Sequence, residues 1–104
     1  MPETAHGYMR THDAGDDEIE AEQDRMRHWA AARGWELARV HEEDTEGAFT
    51  ALDELVRALR ESGARQVLVP SFLHLGANLV LQAQIVDHLL CTTGAEVYST
   101  GGPR

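Results

Sequence analysis

The sequence predicts an α/β fold, a mainly parallel four-stranded sheet flanked by helices on both faces. Three observations carry that expectation. Strand-like runs alternate with stretches of helical spacing in the order βαβαβαβ, the pattern of a parallel sheet with crossover helices. The run Gln66-Val67-Leu68-Val69 is short, apolar and bounded by turn signals, as in a strand covered on both faces. A chain of 104 residues, 42% hydrophobic and 26% charged, suits one core. Residues 1–104 are therefore read as a single domain, with fraying expected near 1–4 and 101–104.

The first strand is placed at Ala5–Thr11, where Tyr8, Met9 and Thr11 suit a sheet and Gly7 permits close backbone approach. A helix follows from near Asp16, with Ile19, Gln23, Met26 and Ala30 on one face and Gly34 as its stop. Its acids come first and its arginines later, which complements the helix dipole. Trp35–Val40 alternates as a half-buried second strand, and the acidic run Glu42, Glu43, Asp44 and Glu46 reads as its exit loop. Leu52, Leu55, Val56 and Leu59 define a second helix, capped by Thr50 and closed by Ser62-Gly63. Pro70 ends the third strand. From Leu79 to Leu90 two apolar rows run along a third helix: Leu79, Ala83, Val86 and Leu90 form one, and Leu81, Ile85 and Leu89 the other. Such a helix is either deeply buried or faces a partner. Gly94–Ser99 reads as the last strand.

All nine basic residues are arginine, and eighteen acids bring the formal charge to -9. A surface of that sign repels phosphate backbones and anionic membrane, so the chain is not expected to bind DNA unaided. Cys91, the single cysteine, has no internal partner for a disulfide. The N-terminus lacks the basic segment and apolar run of a secretory signal, and Asp87 and His88 interrupt the most apolar stretch. These features predict a cytoplasmic protein with no membrane span and no cofactor.

The stretches Tyr8-Met9-Arg10-Thr11-His12, Glu22-Gln23-Asp24-Arg25-Met26, Ala32-Arg33-Gly34-Trp35-Glu36 and Phe72-Leu73-His74-Leu75-Gly76-Ala77 together resemble the catalytic domain of the serine recombinases, the resolvase and invertase family. The resemblance spans nearly the whole chain and implies that family's parallel α/β domain. It also implies a serine that attacks a DNA phosphodiester, with arginines balancing the charge of the transition state. Position by position, His12 stands at the nucleophile, Leu73 at a family Asp, and His74 and Ala77 at two family arginines. Arg10 is retained, and a further family arginine falls near Phe49. The long dimerising helix and basic DNA-binding region of active members do not follow the last strand here. The expectation is a catalytically inactive relative.

His12, Asp13, Glu43, Asp44 and His74 all follow strands, with Arg10 near the end of the first, and in a parallel sheet the carboxyl ends of strands form the usual ligand crevice. They are the ligand-binding candidates. No metal-binding spacing motif joins them, so a solvated acidic rim is preferred over a metal site. His12 offers a general base or substitute nucleophile, yet a histidine ending a strand reads first as a loop residue, and His74 likewise. Arg10 suits a bidentate anion contact, but pairing with Asp13 or Glu43 is the preferred reading. His6, His28 and His41 share no spacing and read as surface or boundary residues.

Leu79, Leu81, Ile85, Val86, Leu89 and Leu90 are the interface candidates, with Trp29, Phe49 and Phe72 as companions. The expected role is protein contact, with a protein partner or a second copy, as an oligomerising or regulatory module. Two alternatives stand beside it: a small enzyme or metal- or phosphate-binding protein using the crevice, and an accessory subunit in DNA recombination.

Overall fold

Strands β1 (Glu3–Arg10), β2 (Trp35–Glu43), β3 (Gln66–Val69) and β4 (Glu96–Ser99) alternate with helices α1 (Asp16–Ala32), α2 (Thr50–Ser62) and α3 (Leu79–Thr93) in a computed structural model that describes residues 3–101. A 3-10 turn, Phe72–His74, lies between β3 and α3. All four strands are parallel, in the order β2-β1-β3-β4. The chain steps from β1 outward to β2 and then crosses back over β1 to reach β3, so β1 and β3 flank the topological switch. Glu3 and Thr4, expected to fray, belong to β1; of the expected frayed ends, residues 1–2 and 102–104 lie outside the described ones.

The two faces of the sheet carry different cores. On one, Tyr8, Val67 and Val69 pack with Ala51, Leu52, Leu55 and Leu59 of α2 and with Ile85 and Leu89 of α3. On the other, Ala5, Met9 and Leu68 pack with Met26 and Ala30 of α1. A single helix leaves this second face only partly covered, and the rings of Trp29, Trp35 and Tyr98, with centroids 5.4–5.9 Å apart, pack together there. Close docking of α1 depends on Gly7: a Cβ there would stand 2.9 Å from the Met26 sulfur and 3.0 Å from a Val40 methyl. Each fully buried Leu of α2 contributes roughly 1.5–3 kcal/mol through area removed from water.

Several local expectations are corrected. The buried row of α1 is Glu22, Met26 and Ala30, so Glu22 rather than Gln23 turns inward. β2 continues through Glu43, placing part of the acidic run in the sheet instead of a loop. Its register slips between Ala5↔Leu37 and His6↔Arg39, which makes Ala38 a bulged residue. Because the bulge shifts the alternation by one, Leu37 and Val40 both face α1, while His41 and Glu43 turn toward α2. Thr50 does not cap α2; it is the first helical residue, and Phe49 before it makes no side-chain cap.

Helix α3 is neither deeply buried nor wholly outward. Asn78 caps it by accepting from the Leu81 amide, and the row Leu81, Ile85 and Leu89 turns to the core. Ile85 and Leu89 are thereby core residues and unavailable as interface, with Leu81 and Val86 partly buried beside them. Leu79 (80% exposed), Val80 (69%) and Leu90 (48%) point away. Trp29, expected beside this helix, is on the opposite face of the sheet.

The two rows of α3 separate by mutation. Leu89→Ala is expected to cost about 2–5 kcal/mol in urea unfolding, as a cavity in a packed core does, whereas Leu79→Ala should stay within about 0.5 kcal/mol. Equal losses would mean that the helix is rotated from the orientation described.

Candidate functional site

His6, Tyr8 and Arg10 of β1 turn toward α2, and each meets a partner from a neighbouring strand or loop. His6 and His41 stack with ring centroids 5.4 Å apart, and His6 Nδ1 lies 3.2 Å from His41 Nε2. Burial lowers both imidazoles, with Arg39 adding to the effect; His41, also facing His6, falls to about 4. Both rings are therefore neutral near pH 7. Tyr8 donates its hydroxyl to Glu43 Oε1 at 3.3 Å, and burial holds the phenol far above its ordinary value, so it remains the donor. The same Glu43 oxygen accepts from the Ala51 amide at 2.9 Å. Glu43 thus supplies, from the neighbouring strand, the cap that the sequence before α2 does not provide.

Arg10 ends the row. Its Nε donates to the His74 carbonyl at 3.0 Å and its Nη1 to the Ala48 carbonyl at 3.2 Å, while the guanidinium carbon sits 5.0 Å from the centre of the Phe49 ring. The expected pairing with Asp13 or Glu43 is not formed. The Arg10 amide donates to His74 Nδ1 at 3.0 Å. A backbone N–H can only donate, so His74 Nδ1 must be unprotonated and the neutral ring carries its proton on Nε2. Burial lowers His74 accordingly, against the upward pull of Glu22 and Glu18 and aided by Arg10.

Beside this cluster, at the carboxyl end of β1, a crevice of about 310 Å³ opens between β1, the 3-10 turn and α1. Arg10, His12, Asp13, Leu73 and His74 line it, together with Met9, Ala14, Glu18 and Glu22. His12 Nε2 lies 3.3 Å from Asp13 Oδ2. Glu22 is nine-tenths buried; its Oε1 pairs with Arg25 at 2.6 Å, and its Oε2 has no hydrogen-bond partner. Among the described residues, no group of three or more His, Cys, Asp or Glu is arranged to hold a metal ion.

The structure gathers Arg10, His12, Asp13, Leu73 and His74 in one place and leaves the other candidates elsewhere. Glu43 is buried against the start of α2, Asp44 is exposed beside Thr45, and Ala77 is exposed ahead of α3. Glu18 and Glu22 were not among the candidates; their spacing of four on α1, in register with Met26 and Ala30, is the sequence signal for a shared inward-leaning row. His6 and His41, taken for surface or boundary residues, form a buried pair, whereas His28 is exposed as expected.

A parallel sheet of order 2-1-3-4, with one helix on one face and two on the other and a crevice at the end of its first strand, defines an α/β domain wound on both faces of its sheet. The family model for the resolvase N-terminal domain matches residues 5–102, and the chain belongs to that family. No curated protein matches it. The chain is similar to the C-terminal catalytic domain of ISC1926 TnpA, an IS607-like serine recombinase, with a TM-score of 0.76 and 19% identity over 93% of this chain and 68% of that one. It is also similar to the N-terminal catalytic domain of TP901-1 integrase, at 0.75 and 17% over 94% and 77%. A resolvase family site-specific recombinase from Streptococcus pneumoniae superposes at 0.79 with 14% identity, over 94% and 72%. At these identities the likeness is one of fold.

Acid should act on the histidine pair. His41 unfolded takes a proton near 6.5 and folded near 4, so its contribution is fully present above pH 6.5 and lost as pH falls toward 4. Between pH 7 and 4.5 the native protein should lose about 2 kcal/mol more stability than His41→Gln in denaturant titrations; parallel losses would show that the pair is not buried neutral. Removing the shared acceptor with Glu43→Ala should cost about 1–3 kcal/mol, because the buried Tyr8 hydroxyl and Ala51 amide lose their partner. An unchanged unfolding midpoint would refute that role.

Proposed function

We propose that this resolvase-family domain is catalytically inactive and acts through protein contacts, as an oligomerising or regulatory module. The observation that carries the reading is the state of Arg10. It is the one arginine retained at the positions the family resemblance assigns to catalysis, and its guanidinium is turned to two backbone carbonyls. A phosphate in the adjoining crevice would meet Asp13, Glu18 and Glu22 instead of a cluster of arginines. His12 stands where the resemblance places the nucleophilic serine, and it lies against Asp13. Loss of even one preorganised charge-stabilising donor costs roughly a hundredfold or more in rate, and several positions are changed together here.

Support for protein contact comes from α3. Leu79, Val80 and Leu90 are exposed on the outer side of the helix, and Phe72 and Leu73 are exposed on the turn before it. Apolar surface of this kind is favourable to cover.

Native mass spectrometry of the protein from its own cells, set beside a Leu79→Arg/Val80→Arg variant, tests the reading. The native chain is expected at a mass above the monomer, with a second copy or a defined partner, and the variant as a folded monomer by circular dichroism. A native chain found only as monomer, or an assembly unchanged in the variant, contradicts the contact role. A covalent link to duplex DNA under denaturing electrophoresis contradicts inactivity.

A further inference from the structure

We propose that the crevice at the end of β1 binds a guanidinium group, with Glu22, Glu18 and Asp13 as its counter-charges. This rests on the reading above in one respect, that the crevice no longer handles phosphate. Three carboxyl groups share the space with the single guanidinium of Arg10, whose donors are directed to the His74 and Ala48 carbonyls; Arg25, outside the lining, pairs with one oxygen of Glu22, and His12 lies against Asp13. The net charge of the lining therefore favours a cation.

Beyond its share of that charge, Glu22 has an unmet hydrogen-bonding capacity. Its side chain is 9% exposed, yet only one of its oxygens has a donor, and Oε2 is buried with none among the described residues. A carboxyl oxygen removed from water without a donor is costly, and Oε2 has no N–H or O–H against it among the described residues. A donor entering the crevice supplies one.

The shape and chemistry of the walls select among cations. Glu18 and Glu22 are one turn apart on α1 and Asp13 precedes that helix, so the acceptors are spread over more than one direction. A planar guanidinium presents five donors in a fixed fork and can meet two such acceptors at once, where an ammonium acts as a point charge. Met9, Ala14 and Leu73 give the crevice an apolar side, which suits the weakly hydrated face of a guanidinium and the carbon stem that bears it. The neutral His74 ring completes the wall without adding positive charge. The chemical class is thus an alkylguanidine, presented by a free small molecule or by an arginine side chain of a partner.

Amide-resolved nuclear magnetic resonance of the 15N-labelled chain at low salt is the test, with agmatine, n-butylammonium and inorganic phosphate as probes. Agmatine at millimolar concentration is expected to shift the amides of Ala14, Glu18, Glu22, Leu73 and His74 in a saturable way. Apparent affinity should fall tenfold or more in Glu22→Gln and measurably in Glu18→Gln, the latter an exposed position where folding is not at stake. An arginine-containing peptide amide producing the same shifts more tightly than agmatine assigns the source to a partner, and the reverse order to a small molecule. Shifts scattered over the acidic surface and unchanged in both variants overturn the site, as does an equal response to n-butylammonium; neither bears on inactivity. Saturable shifts of the crevice amides by phosphate overturn this inference and the inactivity reading together.

Discussion

Everything in this domain is arranged around a strand that is polar on one side yet central to the sheet. β1 lies between β2 and β3, covered by α1 on one face and by α2 and α3 on the other, and still carries His6, Tyr8 and Arg10 toward α2. Buried polar groups without partners cost far more than hydrogen bonds contribute. The surrounding elements answer that demand in part: His41 meets His6 Nδ1, Glu43 meets Tyr8, and the His74 and Ala48 carbonyls meet Arg10, while His6 Nε2 and His41 Nδ1 stay buried without a partner among the described residues. The bulge at Ala38 makes the first two answers available, because without it His41 and Glu43 would face α1.

The same arrangement sets what the crevice can do. In a fold that presents its ligand site beyond the carboxyl ends of the strands, a residue at the end of β1 is well placed for chemistry. Here that residue is Arg10, and it serves as a tie between β1, the 3-10 turn and the loop before α2. His74 is held by the Arg10 amide and kept neutral. The crevice is otherwise lined by Asp13, Glu18, the buried Glu22, His12 and an apolar wall. The chain keeps the family scaffold, its crevice is lined by three carboxyl groups beside one guanidinium, and Leu79, Val80 and Leu90 are exposed on α3.

Much of the architecture was legible in the sequence because local pattern and tertiary environment agree. β3 is an apolar run buried at every position, and α2 has one apolar row that is the face it buries. The family resemblance is carried by the stretches Tyr8–His12, Glu22–Met26, Ala32–Glu36 and Phe72–Ala77, and the chain does belong to that family. Legibility fails where burial is conferred by a partner distant in sequence. Glu43 sits in an acidic run that reads as solvent-exposed, and its burial depends on Tyr8 and on α2 needing a cap. His6 and His41 are 35 positions apart and meet only through strand pairing. Gln23 and Glu22 are equally polar, so composition does not show which of them faces inward beside Met26. Trp29 lies on the α1 face, and its ring partners Trp35 and Tyr98 come from β2 and β4, a meeting that the local pattern does not reveal.

Arg10 is committed to the fold through the His74 and Ala48 carbonyls. Its side-chain Nε–H resonance, followed by arginine-selective nuclear magnetic resonance during a phosphate titration at low salt, reads this directly. A resolved, exchange-protected signal that does not move up to tens of millimolar phosphate is the predicted result. A fast-exchanging signal that shifts saturably with phosphate would mean that the guanidinium is available to anions, and the central claim would be wrong.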